Sequence, residues 1–133
     1  MPKVLIADDD VELVELLTMR LKANNYDVVS AHDGLEAVQK VYSEHPDLII
    51  MDIKMPHGGG ETACEFIKMG QTFNKTPVIF ITAYPEDKVV SRLFEMGASD
   101  FIIKPFTPEE LLPKIHKMLE KGVISDGKKN SSS

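Results

Sequence analysis

Five short apolar runs alternate with stretches that have the apolar spacing of a helix, and this alternation limits the fold more than any other feature of the chain. The runs cover residues 3–7, 26–31, 47–52, 77–82 and 101–104. Each has the length of a strand, and together they lack the strict in-out alternation of a half-exposed sheet. Strands of this kind are buried on both faces, as in a parallel sheet covered by helices. The pattern therefore predicts an α/β fold made of five βα units.

Right-handed crossovers leave few ways to arrange five such units. We choose a doubly wound, five-stranded parallel sheet in the strand order 2-1-3-4-5 of flavodoxin-like folds, an order borrowed from those folds because the pattern alone does not specify it. The helices should present one apolar stripe each to the sheet. The residues expected in these stripes are Val14, Leu17 and Leu21; Leu35, Val38, Val41 and Tyr42; Ala63, Cys64, Phe66 and Ile67; Val90, Leu93 and Phe94; and Leu111, Leu112, Ile115, Met118 and Leu119.

Length and composition are those of one globular domain. The chain has 133 residues, 43% of them hydrophobic and 27% charged, and a net charge of −6. The acidic balance argues against binding nucleic acid through its phosphates. No apolar run is long enough to span a membrane, and three aspartates interrupt the only run that could serve in a signal peptide. We therefore expect a cytoplasmic location.

Three further expectations concern the end of the chain, the last helical stretch and the single cysteine. Residues 122–133 have the glycine, lysine and serine of a solvated segment, so we expect the domain to cover residues 1–121 and a flexible tail or linker to follow. Pro113, inside the last helical stretch, should shift the start of that helix or bend it. Cys64 excludes an intrachain disulfide and is expected to be a small buried thiol.

Polar side chains follow four of the five predicted strands. Asp8 and Asp9 follow the first, Asp52 ends the third, Thr82 ends the fourth and Lys104 ends the fifth. Each has an ordinary structural explanation, because acids and hydroxyls cap helices, aspartates form turns and lysines are usually solvated. The carboxyl ends of parallel strands nevertheless meet at one edge, where open α/β sheets bind ligands. The joint placement therefore predicts a site at that edge.

The residue types at this edge suit magnesium and a phosphoryl group. Three nearby carboxylates repel one another and call for a cation, and oxygen ligands without a histidine or cysteine cluster favour Mg²⁺. Lys104 and the Thr82 hydroxyl can both donate to phosphoryl oxygens. Asp52, alone at the end of the central strand, is the candidate nucleophile toward phosphorus, which would form an acyl phosphate. Asp8 and Asp9 are the candidate metal ligands.

In this order, the motifs Asp8-Asp9, 52–56, Thr82-Ala83 and 104–106 resemble the receiver domain of two-component response regulators of the chemotaxis-regulator type, over residues 3–121. The resemblance implies a signalling switch and not an enzyme, apart from catalysis of its own phosphoryl transfer and dephosphorylation. Its phosphodonor would be a sensor histidine kinase, a phosphotransfer protein or a small molecule.

The resemblance also implies roles for individual residues. Asp52 would be the phosphoacceptor, and Asp9, Asp52 and the backbone carbonyl of Lys54 would bind Mg²⁺ directly, with Asp8 acting mainly through water. Thr82 and Phe101 match the family's switch pair. Lys104-Pro105 matches a bond that is cis in the family.

Phosphorylation would shift the surface formed by the fourth helix, fifth strand and last helix, and a downstream protein, an output domain or a second copy would bind there. Val89 and Met96 are two apolar residues near this surface, for which core burial is an equal alternative.

Departures from the family pattern leave two questions open. Gly58-Gly59-Gly60 stands where receivers often have an apolar residue and an acid before a glycine, so the loop after Asp52 could be unusually mobile. Tyr84, two positions beyond Thr82, could shield an acyl phosphate from water or pack on the fourth helix. The four histidines are scattered through the sequence, and none is expected to be a phosphohistidine.

Three other functions are compatible with parts of the pattern. An aspartyl phosphatase normally needs a second acid at the position of Lys54, and a flavin carrier would need a glycine-rich phosphate loop where this chain has Asp8-Asp9-Asp10. A receiver fold used as a phosphorylation-independent interaction module is the third, and the complete set of site residues argues against it.

Overall fold

A five-stranded parallel sheet forms the centre of the molecule. The computed structural model describes residues 1–83 and 86–131, and the side chains of these except Asp87 and residues 121–131. The strands are β1 (Lys3–Ala7), β2 (Asp27–Ala31), β3 (Leu48–Asp52), β4 (Val78–Thr82) and β5 (Asp100–Ile103). All four neighbouring pairs are parallel, in the order β2-β1-β3-β4-β5. The predicted fold class and strand order are confirmed.

Five helices cover the sheet: α1 (Val11–Ala23), α2 (Gly34–Glu44), α3 (Gly60–Met69), α4 (Asp87–Glu95) and α5 (Pro108–Ser131). Side chains cap three of them, since Asp10 accepts from the N–H of Leu13, Asp33 from the N–H of Glu36 and Thr107 from the N–H of Glu110. The first two caps place the starts of α1 and α2 shortly after the carboxyl ends of β1 and β2.

The core has one layer on each face of the sheet. The alternate residues of β3 divide between the layers: Ile49 and Met51 pack with residues of α2, α3 and α4, whereas Leu48 and Ile50 pack with residues of α1 and α5. Burial on both faces explains why the strand sequences are apolar throughout.

The predicted helix stripes are partly wrong. In α2, Gly34, Ala37 and Val41 are buried while Leu35 is 60% exposed, and in α3 Phe66 is 57% exposed. Ala37, Ala63 and Cys64 pack in the core against the sheet, where small side chains let these helices lie close to it. Gly34 is instead buried against the loop after β3, since its Cβ would lie 1.9 Å from the carbonyl oxygen of Gly58. Tyr42 and Phe94, which were also expected in the stripes, are 47% and 45% exposed. In α1 the buried residues are the predicted ones.

The last helix begins at Pro108, where a missing N–H costs nothing, and continues past Pro113. Its start is therefore not shifted by Pro113, and the bend expected as the alternative stays a prediction. Its backbone also continues through residues expected to be a flexible tail, up to Ser131. No proline after Pro113 interrupts this stretch, and glycines lower helix stability without ending a helix. The predicted boundary between the domain and a flexible tail, at residue 121, stays a prediction.

The loop after β3 is packed more closely than its glycines suggest. Gly60 donates its N–H to the carbonyl oxygen of Ile53 at 2.8 Å. A Cβ at Gly60 would lie 2.2 Å from the carbonyl oxygen of Asp52, and one at Gly59 would lie 2.7 Å from that of Ile53. Only Gly58 faces open space, with a φ of 88°. Two of the three glycines are therefore required by contact with the end of β3.

Candidate phosphoryl and metal site

The carboxyl edge of the sheet brings together the side chains that follow its strands. Asp52 and Thr82 are the last residues of β3 and β4, and Asp8 and Lys104 directly follow β1 and β5. In the parallel register Asp52 pairs with Ile81 and Thr82 with Ile103, so these strand ends are level with one another. These side chains therefore converge at one edge of the sheet, as the sequence predicts.

Lys104 lies between two carboxylates. Its Nζ is 3.2 Å from Asp52 Oδ2 and 3.2 Å from Asp8 Oδ2. The other oxygen of each acid accepts a backbone N–H, from Lys54 at 3.2 Å for Asp52 and from Asp10 at 2.9 Å for Asp8. The peptide bond between Lys104 and Pro105 is cis, as expected from the resemblance. The site thus combines two oriented carboxylates with one ammonium group.

Burial makes the charges of this site costly. Asp8 is completely buried, and this desolvation is the main cause that raises its pKa to about 6; the N–H of Asp10 opposes the shift, and the charge of Asp52 adds to it. Burial by itself would lower the pKa of Lys104, but the two carboxylates outweigh it and the pKa is raised. The site therefore favours a bound cation.

The donor set fits a hard divalent cation. Asp8, Asp9 and Asp52 each offer a carboxylate oxygen, and these oxygens lie within 4.8 Å of one another. Within the described part of the chain, Asp8 Oδ2 is the buried side-chain atom that has no hydrogen bond of good geometry, despite its ion pair with Lys104. Oxygen ligands at a phosphoryl site are typical of Mg²⁺, and the same atoms could hold it here.

A pocket of about 280 Å³ opens beside Asp52. Lys104, Thr82, Ile53, Lys54, Ala83 and Val89 line it, together with two residues that the sequence interpretation missed, Glu61 and Arg92. Glu61 Oε1 accepts from Arg92 Nη2 at 2.7 Å. No spacing in the sequence could have linked positions 61 and 92, because they lie on α3 and α4 and meet only in the folded molecule.

The other residues that the sequence singled out have the following positions in the structure. Phe101 is partly buried against the core and contacts the ring of Phe94 edge-on, with 6.1 Å between ring centres. Val89 and Met96 are also partly buried against the core, as in the core-burial alternative. Of the histidines, His32 contacts the backbone of Asp8, with Nδ1 3.4 Å from its carbonyl oxygen. Tyr84 lies outside the described residues.

An open α/β sheet with acids, a hydroxyl and a lysine at its carboxyl edge belongs to the class of α/β proteins that bind ligands at this edge. The comparison with known proteins gives the family. Residues 4–116 match the response regulator receiver domain. The chain belongs to this family, which takes part in phosphorylation-dependent two-component signalling and is not a classical family of enzymes. Response regulators receive phosphate from histidine kinases and act on output domains or partners.

Individual relatives agree with this assignment. The chain is 35% identical over 125 residues to the alkaline phosphatase synthesis transcriptional regulatory protein PhoP of Bacillus subtilis, covering 92% of this chain and 50% of that protein. It is 39% identical over 123 residues to the response regulator ArlR of Staphylococcus saprophyticus, covering 91% of this chain and 54% of that protein. The chain thus spans about half the length of these curated relatives.

A solved structure gives the same fold. The chemotaxis protein CheY4 of Vibrio cholerae is 30% identical and superimposes with a TM-score of 0.84, covering 88% of this chain and 98% of that one. In the part of this chain that is described, no helix has the length and apolar character needed to cross a membrane.

Proposed function

We propose that this domain is a Mg²⁺-dependent switch in which Asp52 accepts a phosphoryl group from a sensor histidine kinase, a phosphotransfer protein or a small phosphodonor. The observation that supports this most directly is the position of Lys104 Nζ, 3.2 Å from Asp52 Oδ2 at the mouth of a pocket that also contains Thr82. A buried carboxylate beside an ammonium and a hydroxyl is placed to receive phosphorus and to have donors for its oxygens.

The transfer needs no redox change. An oxygen of the Asp52 carboxylate attacks phosphorus, the bond from phosphorus to the donor's leaving group breaks, and the leaving group departs with that electron pair. The N–H of Lys54 donates to Asp52 Oδ1 at 3.2 Å, so Oδ1 is held and Oδ2 faces Lys104. Lys104 and Thr82 then stabilise the transferred phosphoryl oxygens.

Asp8, Asp9 and Asp52 would hold the Mg²⁺, with the backbone carbonyl of Lys54 as a further ligand. The ion would neutralise the charge that accumulates on the phosphoryl oxygens during transfer. The buried Oδ2 of Asp8 supports this assignment, because its contact is the ion pair with Lys104 without a hydrogen bond of good geometry, and a cation would add a second positive partner. Lys104 has to neutralise two acids when no ion is bound.

The same proposal assigns the switch to Thr82 and Phe101 and its output to the surface of α4, β5 and α5. Phe101 lies on β5 and contacts Phe94 of α4, so a change of its ring position would alter this surface. The phosphorylated state would bind a partner, an output domain or a second copy of the domain there.

Phosphorylation at Asp52 can be tested by intact-mass spectrometry after incubation with acetyl phosphate and Mg²⁺. We expect one added phosphoryl mass that is labile to base, absent in Asp52→Asn and strongly reduced by EDTA. Asp27→Asn, the same change at an exposed position on the opposite end of the sheet, should leave the adduct intact. An adduct that persists in Asp52→Asn would overturn the assignment of the acceptor.

The phosphorylation-independent interaction module predicts the opposite result. It would be favoured if acetyl phosphate and other small donors gave no adduct in the parent although Mg²⁺ bound the folded domain. Mg²⁺ binding is measured separately, since millimolar Mg²⁺ should raise the melting temperature of the parent and not that of Asp9→Ala.

A further inference from the structure

We propose that Arg92 is a second cationic phosphoryl ligand, which Glu61 holds in the unphosphorylated domain and releases when Asp52 carries a phosphoryl group. This inference rests on the proposed function, because it concerns the same pocket. It assigns a role in the transfer to two residues of α3 and α4 that no motif of the sequence singles out.

The Glu61–Arg92 ion pair lies at the pocket that contains Asp52. Glu61 is the second residue of α3, directly after Gly60, whose backbone contacts the carbonyl of Asp52. Arg92 lies in the last turn of α4. Both side chains line the pocket that contains Asp52, so their ion pair stands at the wall of the phosphoryl site and joins the two helices that flank it.

Solvent also reaches the side chains of this ion pair. The side chains of Arg92 and Glu61 are 53% and 28% exposed. Water screens an ion pair at such a position, so little is lost when one partner is replaced by another anion. The Asp8–Lys104 pair differs in this respect, since Asp8 is completely buried.

Phosphorylation changes the balance of charge around Glu61 and Arg92. It adds a group with a charge of about −1.5 to −2 and three acceptor oxygens at Asp52. That charge repels the Glu61 carboxylate in the same pocket and attracts the Arg92 guanidinium. A guanidinium also matches phosphoryl oxygens with two parallel N–H donors, which an ammonium cannot do.

The exchange of partners by Arg92 would change which element α4 contacts. Before phosphorylation Arg92 joins α4 to α3 through Glu61, and after phosphorylation it joins α4 to the end of β3 through the phosphoryl group. No covalent bond changes in this step. Glu61 therefore acts as a competitor of the phosphoryl group for Arg92, and its removal should favour phosphorylation.

The test measures the initial rate of Asp52 phosphorylation by acetyl phosphate, over a range of donor concentrations with Mg²⁺, and the lifetime of the adduct. Arg92→Gln should raise the KM for acetyl phosphate and shorten the adduct lifetime, each roughly threefold or more, because a donor to the phosphoryl oxygens is lost. Glu61→Gln should change both quantities in the opposite direction. The double variant should behave like Arg92→Gln, because Glu61 acts through Arg92.

Matched controls come from another exposed ion pair. Arg20 Nη2 and Glu109 Oε2 lie 2.6 Å apart and join α1 to α5 away from the pocket. Arg20→Gln and Glu109→Gln should leave the KM and the adduct lifetime at the parent values. Melting temperatures of all variants verify that each is folded.

Four results would overturn the inference. Equal changes in the same direction for Arg92→Gln and Glu61→Gln would show that the pair only supports the structure. A double variant with a lower KM than Arg92→Gln would show that Glu61 acts by its own charge. Absence of any adduct in the parent would overturn the proposed function as well, whereas a normal parent with unchanged variants would overturn the role of Arg92 alone.

Discussion

Asp8 shows how far the environment of one residue can depart from what its sequence position suggests. In the sequence it is the first of three aspartates, of which Asp10 caps α1 through its side chain. In the folded chain Asp8 is completely buried, and its pKa is raised to about 6 from an ordinary 3.8, mainly by burial. The domain keeps this costly carboxylate at the point where a cation can bind.

The cost of Asp8 can be measured by replacing it with asparagine. Without Mg²⁺ at pH 7.5, Asp8→Asn should raise the free energy of unfolding by about 1–3 kcal/mol, since one pKa unit corresponds to about 1.4 kcal/mol and the amide oxygen can still accept from Asp10. Urea denaturation in EDTA gives this quantity.

The pH dependence of that difference has a definite sign. Between pH 3.8 and about 6 the folded parent binds a proton at Asp8 that the unfolded chain does not. The parent is therefore favoured at low pH and loses this contribution as the pH rises through about 6. The advantage of Asp8→Asn should shrink toward zero near pH 4, and a difference that is constant with pH would contradict the assignment.

At the scale of elements, close packing and not hydrophobicity alone decides which side of a helix faces the sheet. In α2 and α3 the positions buried in the core include Ala37, Ala63 and Cys64, while Leu35 and Phe66 point outward. The start of α3 follows the same rule, because Gly60 lies directly against the backbone of Asp52.

Gly60→Ala should therefore be clearly destabilising. The added Cβ would lie 2.2 Å from the carbonyl oxygen of Asp52, so α3 or the end of β3 must move. We expect a loss of about 1–3 kcal/mol in the free energy of unfolding, as for other overpacking substitutions.

Gly70→Ala is the matched control for this substitution. Its Cβ would contact only the Tyr42 hydroxyl, at 3.1 Å, and this flexible side chain can give way. Chemical denaturation should separate the two variants. Equal stability of both would show that the loop after β3 adapts freely.

At the scale of the whole molecule, the proposed domain boundary rests on where α5 packs. The described side chains that join α5 to the core lie between Leu111 and Leu119, and Leu111 and Ile115 are completely buried. The match to the receiver family also ends within this range, at residue 116.

A chain shortened to residues 1–121 should consequently keep its stability. We expect its free energy of unfolding to stay within about 0.5 kcal/mol of the full chain, because no residue of the described core is removed. A chain shortened to residues 1–114 loses buried Ile115 and should unfold. A loss above about 2 kcal/mol in the 1–121 chain would show that residues 122–133 pack against the domain.

The sequence by itself determined the sheet and its polar edge. Five apolar runs predict five buried strands, and parallel strands must end at one edge, so the meeting of Asp8, Asp52, Thr82 and Lys104 follows from local patterns. The residue types also suggested Asp52 as the nucleophile and Asp8 and Asp9 as metal ligands. The strand order, in contrast, was taken from known folds, and the resemblance supplied the switch pair and the role of Lys54.

Only the tertiary structure decided the rest. The burial of Asp8, the rotation of α2 and α3 that exposes Leu35 and Phe66, and the ion pair of Glu61 with Arg92 each depend on how closely helices approach the sheet and one another. That distance is set by packing between segments far apart in the chain, and periodicity within one segment contains no information about it.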